Sequence, residues 1–133
     1  MPASQLLLLS IVAAAALIYV PFLAVSIGRF QVGYDYNAPR SLFEKLPDYS
    51  KRAAWAHQNS FEVFPIFAAA VLTVLVSDHA SNLAATLAVA FLAFRLVYSA
   101  FYIANLGLFR SFAWAGGMAC IAGLFGISLG WLV

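Results

Sequence analysis

Apolar residues gather into four long runs along this chain, roughly Leu6 to Ile27, Trp55 to Val76, Leu83 to Leu106 and Phe112 to Val133. A helix that crosses a bilayer needs about 20 predominantly apolar residues. Each run meets that length, so the pattern predicts an all-α membrane protein, a bundle of four transmembrane helices in one domain spanning residues 1–133. Almost nothing remains for a soluble domain. The first run lacks the basic n-region of a secretory signal and exceeds the 7 to 15 apolar residues of its core, so it reads as a retained span.

Two of the runs carry polar stripes. In the second, Gln58 and Glu62 are four apart and Asn59 and Glu62 three apart, which puts all three on one helical face, with His57 nearby at the membrane mouth. In the third, Arg95, Tyr98 and Tyr102 recur at helical spacing. An arginine in the middle of a span costs about 2.5 to 3.5 kcal/mol on insertion scales and calls for a partner. Glu62 is the only acid inside a span, and counting residues from Arg52 and Arg110 places it at a depth like that of Arg95. The sequence therefore predicts a Glu62–Arg95 ion pair. Such a pair can merely fix helix register or belong to a site. His57, Gln58, Asn59, Tyr98 and Tyr102 exceed what one ion pair needs, which favours a site. Pro65 removes one backbone hydrogen bond beside Glu62 and predicts a kink there.

Composition fits the setting: 65% of the residues are hydrophobic and 9% charged, with a mean hydropathy of +0.93, outside the soluble range. The net charge of +2 reports topology rather than nucleic-acid binding, since no basic run is long enough for DNA or RNA. Arg29, Arg40, Lys45, Lys51 and Arg52 lie in the first connection and Arg110 in the third, whereas the second holds only Asp78 and His79. Lysine and arginine in short loops stay cytoplasmic, so both termini are expected on the non-cytoplasmic side. The first connection, punctuated by Gly33, Asn37, Pro39 and Pro47, is too short for a domain, and Asp48 or Ser50 is expected to cap the helix that follows. Lone Cys120 lies among glycines of the fourth run and reads as packing. Its small neighbours predict close contact with another helix, in the same chain or across a subunit boundary. His57 and His79 belong to opposite faces, so no metal site is expected. His57 is expected to cap or hydrogen-bond at the interface.

The segment from Ala56 to Glu62 (Ala-His-Gln-Asn-Ser-Phe-Glu), followed by Phe64-Pro65 and then by Arg95-x-x-Tyr98-x-x-x-Tyr102, resembles the MAPEG family, the membrane-associated proteins in eicosanoid and glutathione metabolism. The resemblance covers nearly the whole chain and is similar in wording to the bacterial branch, which implies the bacterial inner membrane. It implies a homotrimer that binds glutathione as co-substrate between subunits near the cytoplasmic face, while a hydrophobic small-molecule substrate arrives from the lipid bilayer. Asn59, Glu62, Arg95, Tyr98 and Tyr102 match its glutathione contacts, and Gln58 and His57 stand within the same motif. Arg110 matches the arginine that stabilises the thiolate, and Arg29 a basic residue that ends the first helix.

The chemistry suits these residue types. Glutathione carries two carboxylates and an ammonium, which call for guanidinium forks, amides and one acid. A nearby cation favours the thiolate form of its sulfur. Two positions depart from the family's pattern: Trp55 and Gln58 stand where many and some relatives, respectively, have arginine, with Lys51 and Arg52 close by. The expected function is a glutathione-dependent transferase or peroxidase acting on a lipophilic electrophile. A non-catalytic lipid- or protein-binding member of the same fold is the alternative. A small transporter fits less well, because the first span has no ionisable residue.

Overall fold

The computed structural model describes residues 1–132, all helix and short connection. Two helices, α1 (Ala3–Ile18) and α2 (Val20–Gln31), precede a 3-10 segment (Pro39–Lys45), and α3 (Asp48–Val76), α4 (Asn82–Ile103) and α5 (Gly107–Ser128) follow. Together α1 and α2 form one apolar element of 29 residues, and with α3, α4 and α5 they give four elements long and apolar enough to cross a membrane. This is a multi-pass integral membrane protein with a four-span helical bundle.

The predicted first span is thus two helices rather than one. Pro21 has no N–H to donate, so the carbonyl of Leu17 loses its helical partner and the helix breaks at Tyr19. The carbonyl of Ile18, beside the break, is met by His57 Nδ1 at 2.6 Å. Pro65, by contrast, lies inside α3, which is helical from Asp48 to Val76. Residues on both sides of the proline keep the helix intact, as packed membrane helices allow. Neither Asp48 nor Ser50 caps α3: Pro47 occupies the N-cap position. Ser50 is buried and points across to α2, where its hydroxyl donates to the carbonyl of Val25 at 3.4 Å. A methyl group on Gly28 would overlap Ser50, so α2 and α3 approach closely here.

The fourth span starts at Gly107, five residues before the expected Phe112, and Leu106 belongs to the turn. Its helix ends at Ser128, and the expected end at Val133 lies outside the described residues. The small-residue face of α5 meets α4 of the same chain: a Cβ on Gly116 would strike the Phe94 ring, and one on Gly123 would strike Leu87. In lipid, where apolar burial gives helices little net attraction for each other, such close van der Waals packing holds the bundle. Cys120 is buried in the same core. At the centre the rings of Phe67 (α3) and Phe91 (α4) stack with centroids 3.9 Å apart. Asn105 turns the chain from α4 into α5 with φ 62°, a left-handed value that asparagine tolerates.

Candidate functional site

At the end of the bundle where α4 turns into α5, Asn59 from α3, Tyr98 and Tyr102 from α4, and Arg110, Ser111 and Trp114 from α5 line a crevice of about 320 Å³. Helical spacing assembles it. Tyr98 and Tyr102 are one turn apart on α4, as Arg110 and Trp114 are on α5, and the short turn through Asn105 sets the two helices side by side. The Arg110 guanidinium lies over the Tyr102 ring, 4.4 Å from its centroid. The Tyr98 ring meets Tyr102 edge-on at 5.6 Å, and on its other side the Arg95 guanidinium sits 4.2 Å from the Tyr98 centroid. Two cations and two π faces therefore form one row, in which each aromatic face stabilises the charge beside it.

Arg95 does not pair with Glu62. It is 5% exposed, its Nη2 donates to Ser60 Oγ at 3.0 Å, and its Nη1 has no hydrogen-bond partner. Ser60 in turn donates to the carbonyl of Ala56 at 2.9 Å. The Glu62 carboxylate instead accepts from Asn59 Nδ2 at 3.3 Å and from Gln58 Nε2 at 3.5 Å, on the exposed side of α3. The reason is angular. Glu62 follows Ser60 by two residues, about 200° around the helix, so the face that meets α4 and the face that carries the acid point in nearly opposite directions. Matching depths do not make facing partners.

A second set of the expected residues lies on a different wall. Arg29, His57 and Gln58 line a groove of about 570 Å³ between α2, the 3-10 segment and α3, together with Arg40, Phe43, Trp55 and Phe61. Arg29 packs over the Phe22 ring at 5.5 Å, and its buried Nε lacks a partner. His57 is committed to the Ile18 carbonyl and sits among the rings of Tyr19, Phe22 and Phe61. The nine expected site residues thus fall into separate places in one chain: Asn59, Tyr98, Tyr102 and Arg110 on the crevice; Arg29, His57 and Gln58 on the groove; Glu62 on an exposed face; Arg95 behind the crevice.

Ser111 and Trp114, and the places of Arg40 and Trp55 in these walls, were not singled out from the sequence. Ser111 and Trp114 complete the crevice, and their signal was available: they follow Arg110 directly and by one turn. Arg40 reaches the groove from a 3-10 segment whose fold no periodicity announces. Trp55 stands between the two walls, its ring 5.9 Å from Phe43 and 6.4 Å from Tyr102. A smaller pocket of about 140 Å³ adjoins the crevice, shares Tyr102 and Arg110 with it, and adds Arg52 and Asn105.

No curated protein and no solved structure matches the chain. The family model for the MAPEG family matches residues 6–130, a span that takes in both polar stripes, the first basic connection and all of α2 to α5. The chain is a member of the MAPEG family.

Proposed function

We infer that this protein is a homotrimeric, glutathione-dependent transferase or peroxidase, in which Arg110 holds the glutathione sulfur as a thiolate for attack on a lipophilic electrophile. The observation that carries the reading is the stacked Arg110–Tyr102 pair on the wall of an open crevice between α3, α4 and α5. A guanidinium held against a ring can still direct its N–H groups to a sulfur anion, and a cation beside that sulfur favours the charged form. The thiolate then forms a C–S bond with the electrophile, whose departing or ring-opened oxygen takes a proton. In the peroxidase variant it attacks a peroxide oxygen and breaks the O–O bond; the alkoxide leaves and takes a proton to become an alcohol, and the glutathione sulfenic acid that remains condenses with a second glutathione to give the disulfide and water.

The donor set fits the tripeptide. Asn59 presents a buried Oδ1 with no partner, the two tyrosines offer hydroxyls, and Glu62 supplies the acid that an ammonium group needs. The exposed position of Glu62 supports the trimer. An ionised carboxylate on the outer face of a membrane span is costly against lipid, whereas a neighbouring subunit would cover it. The Arg29 groove and the Arg110 crevice, separate in one chain, would then face each other across the subunit boundary and surround one ligand. The six basic residues of the connections gather at the same end of the bundle, which we assign to the cytoplasmic side of the bacterial inner membrane, with both termini opposite.

One observation favours a second reading. Trp55 is 45% exposed and places an indole between the two walls, which suits a non-catalytic member that holds lipid. The test is the ultraviolet thiolate band of glutathione added to purified protein in detergent. A saturable band that is lost in Arg110→Ala supports thiol activation, and no band at millimolar glutathione supports the lipid-binding reading.

A further inference from the structure

Between α1, α3 and α4, beside the α1–α2 break, lies a cavity of about 10 Å³ whose wall includes Ala14, Leu17, Ile18, Ser60, Phe91 and Arg95. That volume holds about one water. Arg95 brings to it a guanidinium that is 5% exposed and whose Nη1 has no hydrogen-bond partner. Two acceptors belong to the same wall. Ser60 Oγ gives its proton to the Ala56 carbonyl and one lone pair to Arg95 Nη2, which leaves its second lone pair open. The carbonyl of Leu17 would take the N–H of residue 21 in a continuous helix, but Pro21 has none. It is left with a capping N–H and a spare lone pair. Among the described residues none of those lining the cavity is acidic.

We propose that this cavity is a binding site for a single water, which accepts from Arg95 Nη1, donates to Ser60 Oγ and to the Leu17 carbonyl, and stands in for the counter-charge that Glu62 does not provide. The mixed character of the wall selects the occupant. A small anion would relieve the guanidinium, but it would meet two oxygen lone pairs with no proton to offer them, whereas a water serves one donor and two acceptors at once. Buried waters typically make about three such bonds. Cavities stay empty where their walls are apolar, and this wall carries a charge. The cation is then held from three sides, by Ser60, by the water and by the Tyr98 ring 4.2 Å away. The water also ties the α1–α2 break to the α3–α4 seam. Displacing it leaves a charged donor unsatisfied in a segment where no solvent replaces it.

The test uses the full-length protein in detergent, with either chloride or gluconate as the salt. Ala14 is the handle, because it lines the cavity from α1. Ala14→Val fills the space with methyl groups, and Ala14→Thr has the same shape with a hydroxyl in place of one methyl. Both displace the water, but only Thr returns an oxygen to Arg95. Thr should therefore melt about 4 °C or more above Val, the scale of one hydrogen bond to a charged group in a small domain. With arginine nitrogens isotopically labelled, the Arg95 guanidinium protons, identified by their loss in Arg95→Gln, should show a nuclear Overhauser effect to a long-lived water that vanishes in Ala14→Val. Should Arg95→Gln fail to fold, the Ala14 pair decides alone. Val melting level with or above Thr would mean a dry cavity and overturn the site, as would the absence of the water contact in wild type. Melting that rises with chloride and not with gluconate would make the occupant an anion and overturn the assignment to water.

Discussion

Arg95 and Ser60 are joined across the α3–α4 seam by a 3.0 Å hydrogen bond, and this hydroxyl, not the Glu62 carboxylate, is what the buried guanidinium uses as its partner. A charge in a low-dielectric interior is most sensitive to the loss of such a contact. Ser60→Ala is therefore expected to destabilise the bundle by about 1.5 to 3 kcal/mol, the range for a hydrogen bond to a charged group. Glu62→Ala should leave the fold of the single chain within about 0.5 kcal/mol of wild type, as for an exposed substitution. Unfolding of both variants in mixed micelles compares them. Measured on the dissociated single chain, a larger loss for Glu62→Ala would mean that the acid, after all, neutralises Arg95.

The His57 contact with Ile18 predicts a local effect. A carbonyl freed at a helix break inside a membrane has no water to turn to, and His57 Nδ1 satisfies it at 2.6 Å. His57→Ala should cost about 1 to 3 kcal/mol and should accelerate amide hydrogen exchange in α2 before it affects α4 or α5. His57→Asn, which keeps a donor on a short stem, is expected to recover part of the protection. Unchanged exchange in α2 would show that the break holds without the histidine.

Glycines on α5 separate a packing role from a backbone one. Gly116→Ala and Gly123→Ala press a methyl group onto Phe94 and Leu87 and should each lower stability by about 1 to 3 kcal/mol, the range for overpacking. Gly107→Ala, where a Cβ meets nothing within 4 Å, should be neutral or stabilising by about 0.5 to 1 kcal/mol through helix propensity. Melting temperatures of the three variants in one detergent provide the check. An equal loss at all three positions would refute the idea that contact with α4 sets the cost.

How much could be read from the residues alone differed with the kind of information involved. Runs of apolar residues announced four spans because the bilayer imposes a length, and helical spacing put Tyr98 and Tyr102 on one side of α4, where their rings meet edge-on, because neighbours on one helix follow from its period. Relations between helices were less legible. The depths of Glu62 and Arg95 matched, but the rotation of α3 put Ser60 toward α4 and left the acid outside. The break at Tyr19 was hidden by the unbroken apolar run, although Pro21 carried its signal. Pro65 lies inside α3, which runs through it as one helix from Asp48 to Val76. Whether the α5 glycines served an internal or an external contact also depended on packing, and Phe94 and Leu87 supply the answer.

The Arg110–Tyr102 stack makes a prediction that distinguishes thiol activation from simple anchoring. The ring holds the guanidinium 4.4 Å from its face, a contact worth about 0.5 to 2 kcal/mol, and so fixes where the positive charge lies. Tyr102→Phe keeps the ring and removes the hydroxyl, and Tyr102→Leu removes both. If Tyr102 acts mainly as the platform, Phe should retain most of the thiolate signal and of the turnover of a lipophilic electrophile, while Leu should lose about two- to thirtyfold, the rate equivalent of that contact. If the hydroxyl instead donates to the sulfur, the Phe variant should fall nearly as far as Leu. Arg110→Lys adds the complementary measurement. It preserves the charge but not the planar group that stacks, so it should resemble the Leu variant under the platform account and wild type if charge alone is enough. Single-turnover rates with saturating glutathione read the chemical step apart from binding, and Arg110→Ala sets the floor, with a loss on the order of a hundredfold expected from removing one charge-stabilising group at the reacting atom.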